Sequence, residues 1–159
     1  MPLIPFRDLP DAGLARRLAA AFYDSLLVLA IWFVLGFVVA IVESAVMSQP
    51  LDAAGPIRPL VPPAIAPFVT LPVLWLTAAG FFVWFWRHGG QTLGMKTWRL
   101  RLVDTEGRTP PPGRLWLRVA VGTLSLLCLG LGFFWILVAG RSWHDIASRT
   151  RVVVLPKDA

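Results

Sequence analysis

Three long stretches of this chain carry no charged side chain: Ser25 to Val42, Pro59 to Trp86 and Val119 to Gly140. A helix needs about 20 mostly apolar residues to cross a hydrocarbon core about 30 Å thick, so each stretch is long enough to cross. In lipid every backbone N–H and C=O must be satisfied internally, which leaves helices, or irregular backbone covered by protein, as the only options. An apolar share of 57% against 15% charged residues is the balance of an integral membrane protein, and the length of 159 residues suits one domain. The first stretch is extended by Leu18 to Tyr23 ahead of Asp24. It is too long and too interrupted for a cleaved signal peptide and reads as a retained helix.

The net charge of +6 matters less than where it falls. Arg7, Arg16 and Arg17 precede the first stretch, and Arg58 alone separates the first two. Arg87, Lys96, Arg99, Arg101, Arg108, Arg114 and Arg118 lie between the second and third, and Arg141, Arg149, Arg151 and Lys157 follow the third. Basic loops stay cytoplasmic. The N-terminus and the long middle segment are therefore expected inside, with the Pro-rich link Gln49 to Pro67 outside. Nucleic acid is excluded as a partner because the arginines flank membrane segments and no binding motif accompanies them. Trp84, Trp86, Trp98, Trp116 and Trp143 all fall near the expected cytoplasmic boundaries, as an aromatic belt would.

A complete third crossing would leave the basic tail outside, against that rule. Gly130-Leu131-Gly132 offers a place for the helix to break, so a re-entrant hairpin is weighed against an ordinary span. Between the second and third stretches, Thr97 to Asp104 alternates basic and apolar residues with a period of two and reads as a strand. Thr105 to Arg108 makes a turn, Pro110-Pro111-Pro112 ends the segment, and a helix begins near Gly113. Thr150 to Leu155 is the second strand-like run and stops at Pro156. Two short strands satisfy each other most economically as a pair, which places the C-terminus on the cytoplasmic side as well.

The residues that could carry chemistry are few. Asp24 is an isolated carboxylate in an otherwise apolar run, and such a group is paired, protonated or turned toward a water-filled cavity. Arg17 stands seven residues earlier, two helical turns away on nearly the same face. Side chains lean toward the helix N-terminus, so Asp24 points at Ala20 and Ala21 while Arg17 leans away, and a direct bond between them is disfavoured. His144-Asp145 invites a metal reading, but a metal needs three or four ligands and His88 is the only other histidine. Gly89-Gly90 with Gly94 lacks the spacing of a phosphate loop or a dinucleotide fingerprint. Cys128 has no partner for a disulfide. No enzyme chemistry and no cofactor are expected.

Ala15-Arg16-Arg17-Leu18-Ala19 running into Tyr23-Asp24, then Gly90-Gln91-Thr92-Leu93-Gly94-Met95-Lys96 leading to Leu102-Val103-Asp104, then Trp143-His144-Asp145 followed by Thr150, resembles the RDD family of bacterial membrane proteins. The resemblance runs from about Gly13 to Leu155. That family is named for one arginine and two aspartates. By position these are Arg17, Asp24 and Asp145, with Asp104 as fallback for the second aspartate. The resemblance implies a multi-pass protein of the bacterial inner membrane and, for activity, transport of a small ion or solute.

The combined expectation is an all-helical membrane protein. It has two transmembrane helices, a third hydrophobic segment that is a re-entrant hairpin or a span, and a small cytoplasmic two-stranded β pair. Its polar cluster would comprise Arg17, Asp24, Asp145, Arg118, Lys96 and Arg149. Arg118 is the first choice as partner for Asp24, followed by Lys96 and Arg149, and Asp145 is the choice for Arg17. Two roles for the cluster are open: cation or proton exchange through Asp24 in a homo-oligomer within the bilayer, or a clamp in a non-catalytic scaffold that binds a partner protein.

Overall fold

A computed structural model describes residues 5–46, 62 and 64–156. Most of the link expected outside the membrane, with Arg58 in it, and Lys157 lie beyond the described residues. Helix α1 runs over Leu14–Val46 and α2 over Ala66–Gly89, and both are long and apolar enough to cross a membrane. The chain separates into two compact units, one made of Met1–Ser25 with Ala79–Ala159 and the other of Leu26–Ala78.

In the second unit the helices expose their apolar side chains, among them Phe33, Phe37, Phe68 and Leu71. A water-facing helix would bury such groups, and a lipid-facing one shows them. Trp32 donates its indole N–H to the Leu74 carbonyl at 3.1 Å. Helix α2 continues through Pro72, and Thr77 donates its hydroxyl back to Val73 at 2.7 Å.

The first unit holds everything else. Strands β1 (Leu100–Asp104) and β2 (Thr150–Val154) form an antiparallel pair in which Leu102 faces Val152 and Leu100 faces Val154. Alternation places Leu100, Leu102 and Val152 against Leu115, Met95, Ala12 and Ala20, while Val103 and Val153 turn to Leu9 on the opposite side. Backbone groups on the outer edges also find partners: Ala12 donates to Val152 at 2.8 Å, Val154 to Pro10 at 3.0 Å and Leu102 to Gly90 at 2.7 Å. The expected strand from Thr97 begins three residues late. Leu93–Thr97 is instead a short helix, α3, because Thr92 caps it by accepting the Met95 N–H at 3.2 Å.

The third apolar stretch is not one straight helix. Helix α4 covers Pro112–Leu127, followed by the single turns α5 (Leu131–Phe134) and α6 (Ile136–Ala139), and the direction changes by 109° at the break. Leu129 and Gly130 both take positive φ, 55° and 77°, a conformation that ends a helix and that Gly130 adopts without the penalty of a side chain. Helix α4 has reversed polarity: Arg118 and Ser125 face inward with Leu115, while Trp116, Leu117, Leu124 and Leu127 face outward. Helix α7 (Trp143–Ser148) packs against α4, and Arg149 at its end takes φ 50°, turning the chain directly into β2.

Leu102 is 1% exposed at the centre of this core. Leu102→Ala should cost about 2–5 kcal/mol through lost burial and the cavity left behind, read as a lower unfolding midpoint in detergent micelles.

Candidate functional site

Two buried carboxylates organise the first unit. Asp145 lies in the first turn of α7, where the helix dipole favours a negative charge, and is 1% exposed. Arg17, 6% exposed, and Arg118, 5% exposed, both reach it. An Arg17 Nη1 donates to Asp145 Oδ2, and Arg118 Nη1 donates to Oδ1 at 2.5 Å. Arg17 Nε also donates to the Ala12 carbonyl at 2.9 Å, and Arg118 Nη1 donates to Thr150 Oγ1 at 2.7 Å. The Thr150 hydroxyl lies 2.7 Å from that of Ser148, whose hydroxyl donates to the His144 carbonyl. One carboxylate thus joins the start of α1, the middle of α4, α7 and the first residue of β2. The Arg118 guanidinium also sits over the Trp86 ring, 5.4 Å from its centroid.

Burial alone would raise the Asp145 pKa. The charges of Arg118 and then Arg17 outweigh it and hold this carboxyl well below the usual range. His144 moves the other way from its own charged state. Burial, reinforced by the Arg118 charge, lowers its pKa to about 3, so it is neutral at pH 7. Its Nε2 lies 2.9 Å from Ser142 Oγ, and its Nδ1 is buried without a hydrogen-bond partner among the described residues.

Asp24 is 2% exposed, in the third turn of α1, and meets different chemistry. Thr92 donates its hydroxyl to Oδ2 at 2.5 Å, and the Gly94 N–H donates to Oδ1 at 2.9 Å. Thr92 therefore acts twice, accepting from α3 as its cap and donating to α1. Gly94 has to be glycine, because a Cβ there would run into the Ala20 carbonyl and lie 2.9 Å from the Asp24 carboxylate. Ala20, at which Asp24 was expected to point, is small, and α3 packs close to both through Gly94.

The six residues singled out by sequence do not form one cluster. Arg17, Asp145 and Arg118 meet, and Asp24 stands apart with Thr92 and Gly94. The expected Arg118–Asp24 pair is replaced by Arg118–Asp145, because α7 brings a second carboxylate to the inward face of α4. Lys96 and Arg149 are both exposed. Lys96 sits near the end of α3, where a cation suits the helix dipole, and Arg149 is the residue that turns α7 into β2. Asp104, the fallback, closes its own turn by accepting the N–H groups of Glu106 at 2.9 Å and Arg108 at 2.8 Å. In the sequence Thr92, Gly94 and Thr150 stand out only as parts of motifs. Their signal was the Thr-x-Gly spacing after the second span and the threonine that opens the last strand. Among the described residues no group of three or more His, Cys, Asp and Glu side chains could hold a metal.

The sequence model of the RDD family matches residues 11–149, which takes in Arg17, Asp24, Arg118 and Asp145. The chain belongs to the RDD family. No curated protein and no solved structure matches it. In this RDD protein Arg17 and Asp145 are in direct contact, whereas Asp24 is held by neutral donors.

Two outcomes follow. Asp145→Asn should lower stability by about 3–5 kcal/mol, because two buried guanidiniums lose their shared counter-charge, read as a fall in the unfolding midpoint in detergent. For His144 the unfolded pKa is near 6.5 and the folded one about 3. Between those values the unfolded chain binds the extra proton, so stability present above pH 6.5 drains away as pH falls toward 3. His144→Gln should flatten the slope of unfolding midpoint against pH between 6.5 and 4 by one proton's contribution.

Proposed function

We propose that this RDD protein exchanges a small cation or proton across the bacterial inner membrane, with Asp24 as the group that takes and releases it. The observation that carries this reading is the absence of a cationic partner. Among the described residues no Lys or Arg forms an ion pair with Asp24, although it lies in an apolar membrane helix and is almost wholly buried. A carboxylate in that setting lacks a counter-charge, which a bound cation or a proton supplies. Arg118, the side chain best placed by sequence to neutralise it, is committed to Asp145. The Arg17–Asp145–Arg118 group is then the fixed frame, and Asp24 the exchangeable site beside it. The Thr92 hydroxyl and the Gly94 N–H would orient the carboxylate through each cycle.

In this reading the two long helices cross the bilayer, the bent third segment re-enters it, and both termini are cytoplasmic. The basic tail and the pairing of β1 with β2 support that topology. Two and a half segments enclose little aqueous path, so the transporting form is a homo-oligomer. No catalytic group, cofactor or nucleic acid is involved.

A second reading rests on a specific observation. Thr92 and Gly94 both belong to the segment following α2, so Asp24 also ties that segment to α1. A non-catalytic scaffold that positions a partner protein would use the same clamp.

Asp24→Asn separates the two, since Asn keeps the shape but cannot titrate. Exchange predicts that wild-type protein in liposomes dissipates a pH gradient on addition of Na⁺ or K⁺, and that Asp24→Asn abolishes this while its unfolding midpoint stays near wild type. Absence of flux from wild type, with Asp24→Asn destabilised by about 1–3 kcal/mol through its unsatisfied donors, overturns exchange in favour of the clamp.

A further inference from the structure

A pocket of about 400 Å³ has neither Asp24 nor Asp145 in its lining. It is lined by Arg87, Arg108, Arg114, Asp104 and Thr109, together with the prolines at the start of α4. Its charges do not balance. Arg108 is matched: its Nη2 lies 2.5 Å from Glu106 Oε2 and its Nε 3.6 Å from Asp104 Oδ2. The Asp104 Oδ1 is occupied by the N–H groups of its own turn. Arg87 and Arg114 form no ion pair among the described residues.

Their positions sharpen the imbalance. Arg87 in the last turn of α2 faces the negative end of a helix dipole, which suits it. Arg114 is in the first turn of α4, where the dipole is positive and a cation is disfavoured. Among the described residues no side chain caps that end: Pro111, the capping residue, supplies no side-chain hydrogen bond, and Pro112 has no N–H. Two unmatched guanidiniums and the positive end of a sixteen-residue helix therefore share one cavity with a hydroxyl donor, Thr109.

We propose that this pocket binds a phosphate-bearing anion through Arg87 and Arg114. The guanidinium fork matches phosphate oxygens in pairs, and the uncapped end of α4 adds positive potential at the same place. Depth argues for its source. Arg87 directly follows the apolar run that ends at Trp86, and Trp84 and Trp116 are exposed on the adjoining turns, which is the level of lipid head groups. A phospholipid head group and a free phosphate ester offer the same chemistry. None of these residues takes part in the Asp24 or Asp145 contacts, so the site stands or falls apart from the exchange reading.

The test uses the full chain in an uncharged detergent, titrated with dihexanoyl phosphatidylglycerol or with inorganic phosphate and followed by tryptophan emission. Saturable binding is expected. Arg87→Gln and Arg114→Gln should each weaken it about tenfold, as the loss of one charge-assisted hydrogen bond implies. Arg99→Gln and Arg141→Gln, at exposed arginines away from the pocket, should leave it unchanged. Saturation by the lipid alone identifies a head group, saturation by phosphate alone a free ester, and saturation by both the phosphate group itself. No saturable response to either probe overturns the site, as does equal weakening in all four variants. Should one pocket variant fail to fold, the other and Thr109→Val carry the same comparison.

Discussion

Two arginines sharing one carboxylate is the interaction on which the first unit depends. Bringing three charges out of water is expensive, and their mutual attraction offsets that cost only where geometry is good and the remaining hydrogen-bonding groups are satisfied. Here Arg17 is also anchored on the Ala12 carbonyl and Arg118 on Thr150. These secondary contacts come from the segments that flank the strand pair, so the charge cluster and the sheet stabilise the same arrangement. The inward polarity of α4 has the same origin: its apolar residues are free to face outward because its buried charge, Arg118, has a partner inside.

The buried aspartates Asp24 and Asp145 therefore differ in kind. Asp145 has a surplus of positive charge around it and is locked as the anion. Among the described residues Asp24 has only a hydroxyl and a backbone amide as partners. In the exchange reading proposed above, the Asp145 frame is the structural part and Asp24 the exchanging group.

Much of this was legible in the sequence. Apolar runs long enough to span gave α1 and α2 because no other structure satisfies so many backbone groups in lipid. Alternation located both strands to within a few residues, and the glycines near residue 130 marked the break in the third segment. Asp24 stood out as a lone carboxylate, and the lean of helical side chains correctly argued against a bond to Arg17. Its true partners were harder to find. A helix of five residues, α3, is too short to show a period, so Thr92 looked like part of a connector when it was a cap. The choice of Arg118 for Asp24 rested on its place at the entrance to the third stretch and on the room beside the small Ala20 and Ala21. Neither says which carboxylate a neighbouring segment will deliver, and the placement of Asp145 is set by a tertiary turn at Arg149 that has no local signal beyond the residue itself.

The contact between Arg17 and Asp145 spans 128 residues of chain. At the usual pace of synthesis, about 5–20 residues per second, the first helix is made on the order of ten seconds before its carboxylate exists. During that interval Arg17 has only water, lipid phosphates or another protein to neutralise it. Its place near the start of α1 lets the long side chain reach the membrane surface while it waits. The same delay applies to Asp24, which is synthesised well before Thr92 and Gly94. A chain cut short between residues 118 and 145 would carry both Arg17 and Arg118 without the carboxylate they share in the finished protein.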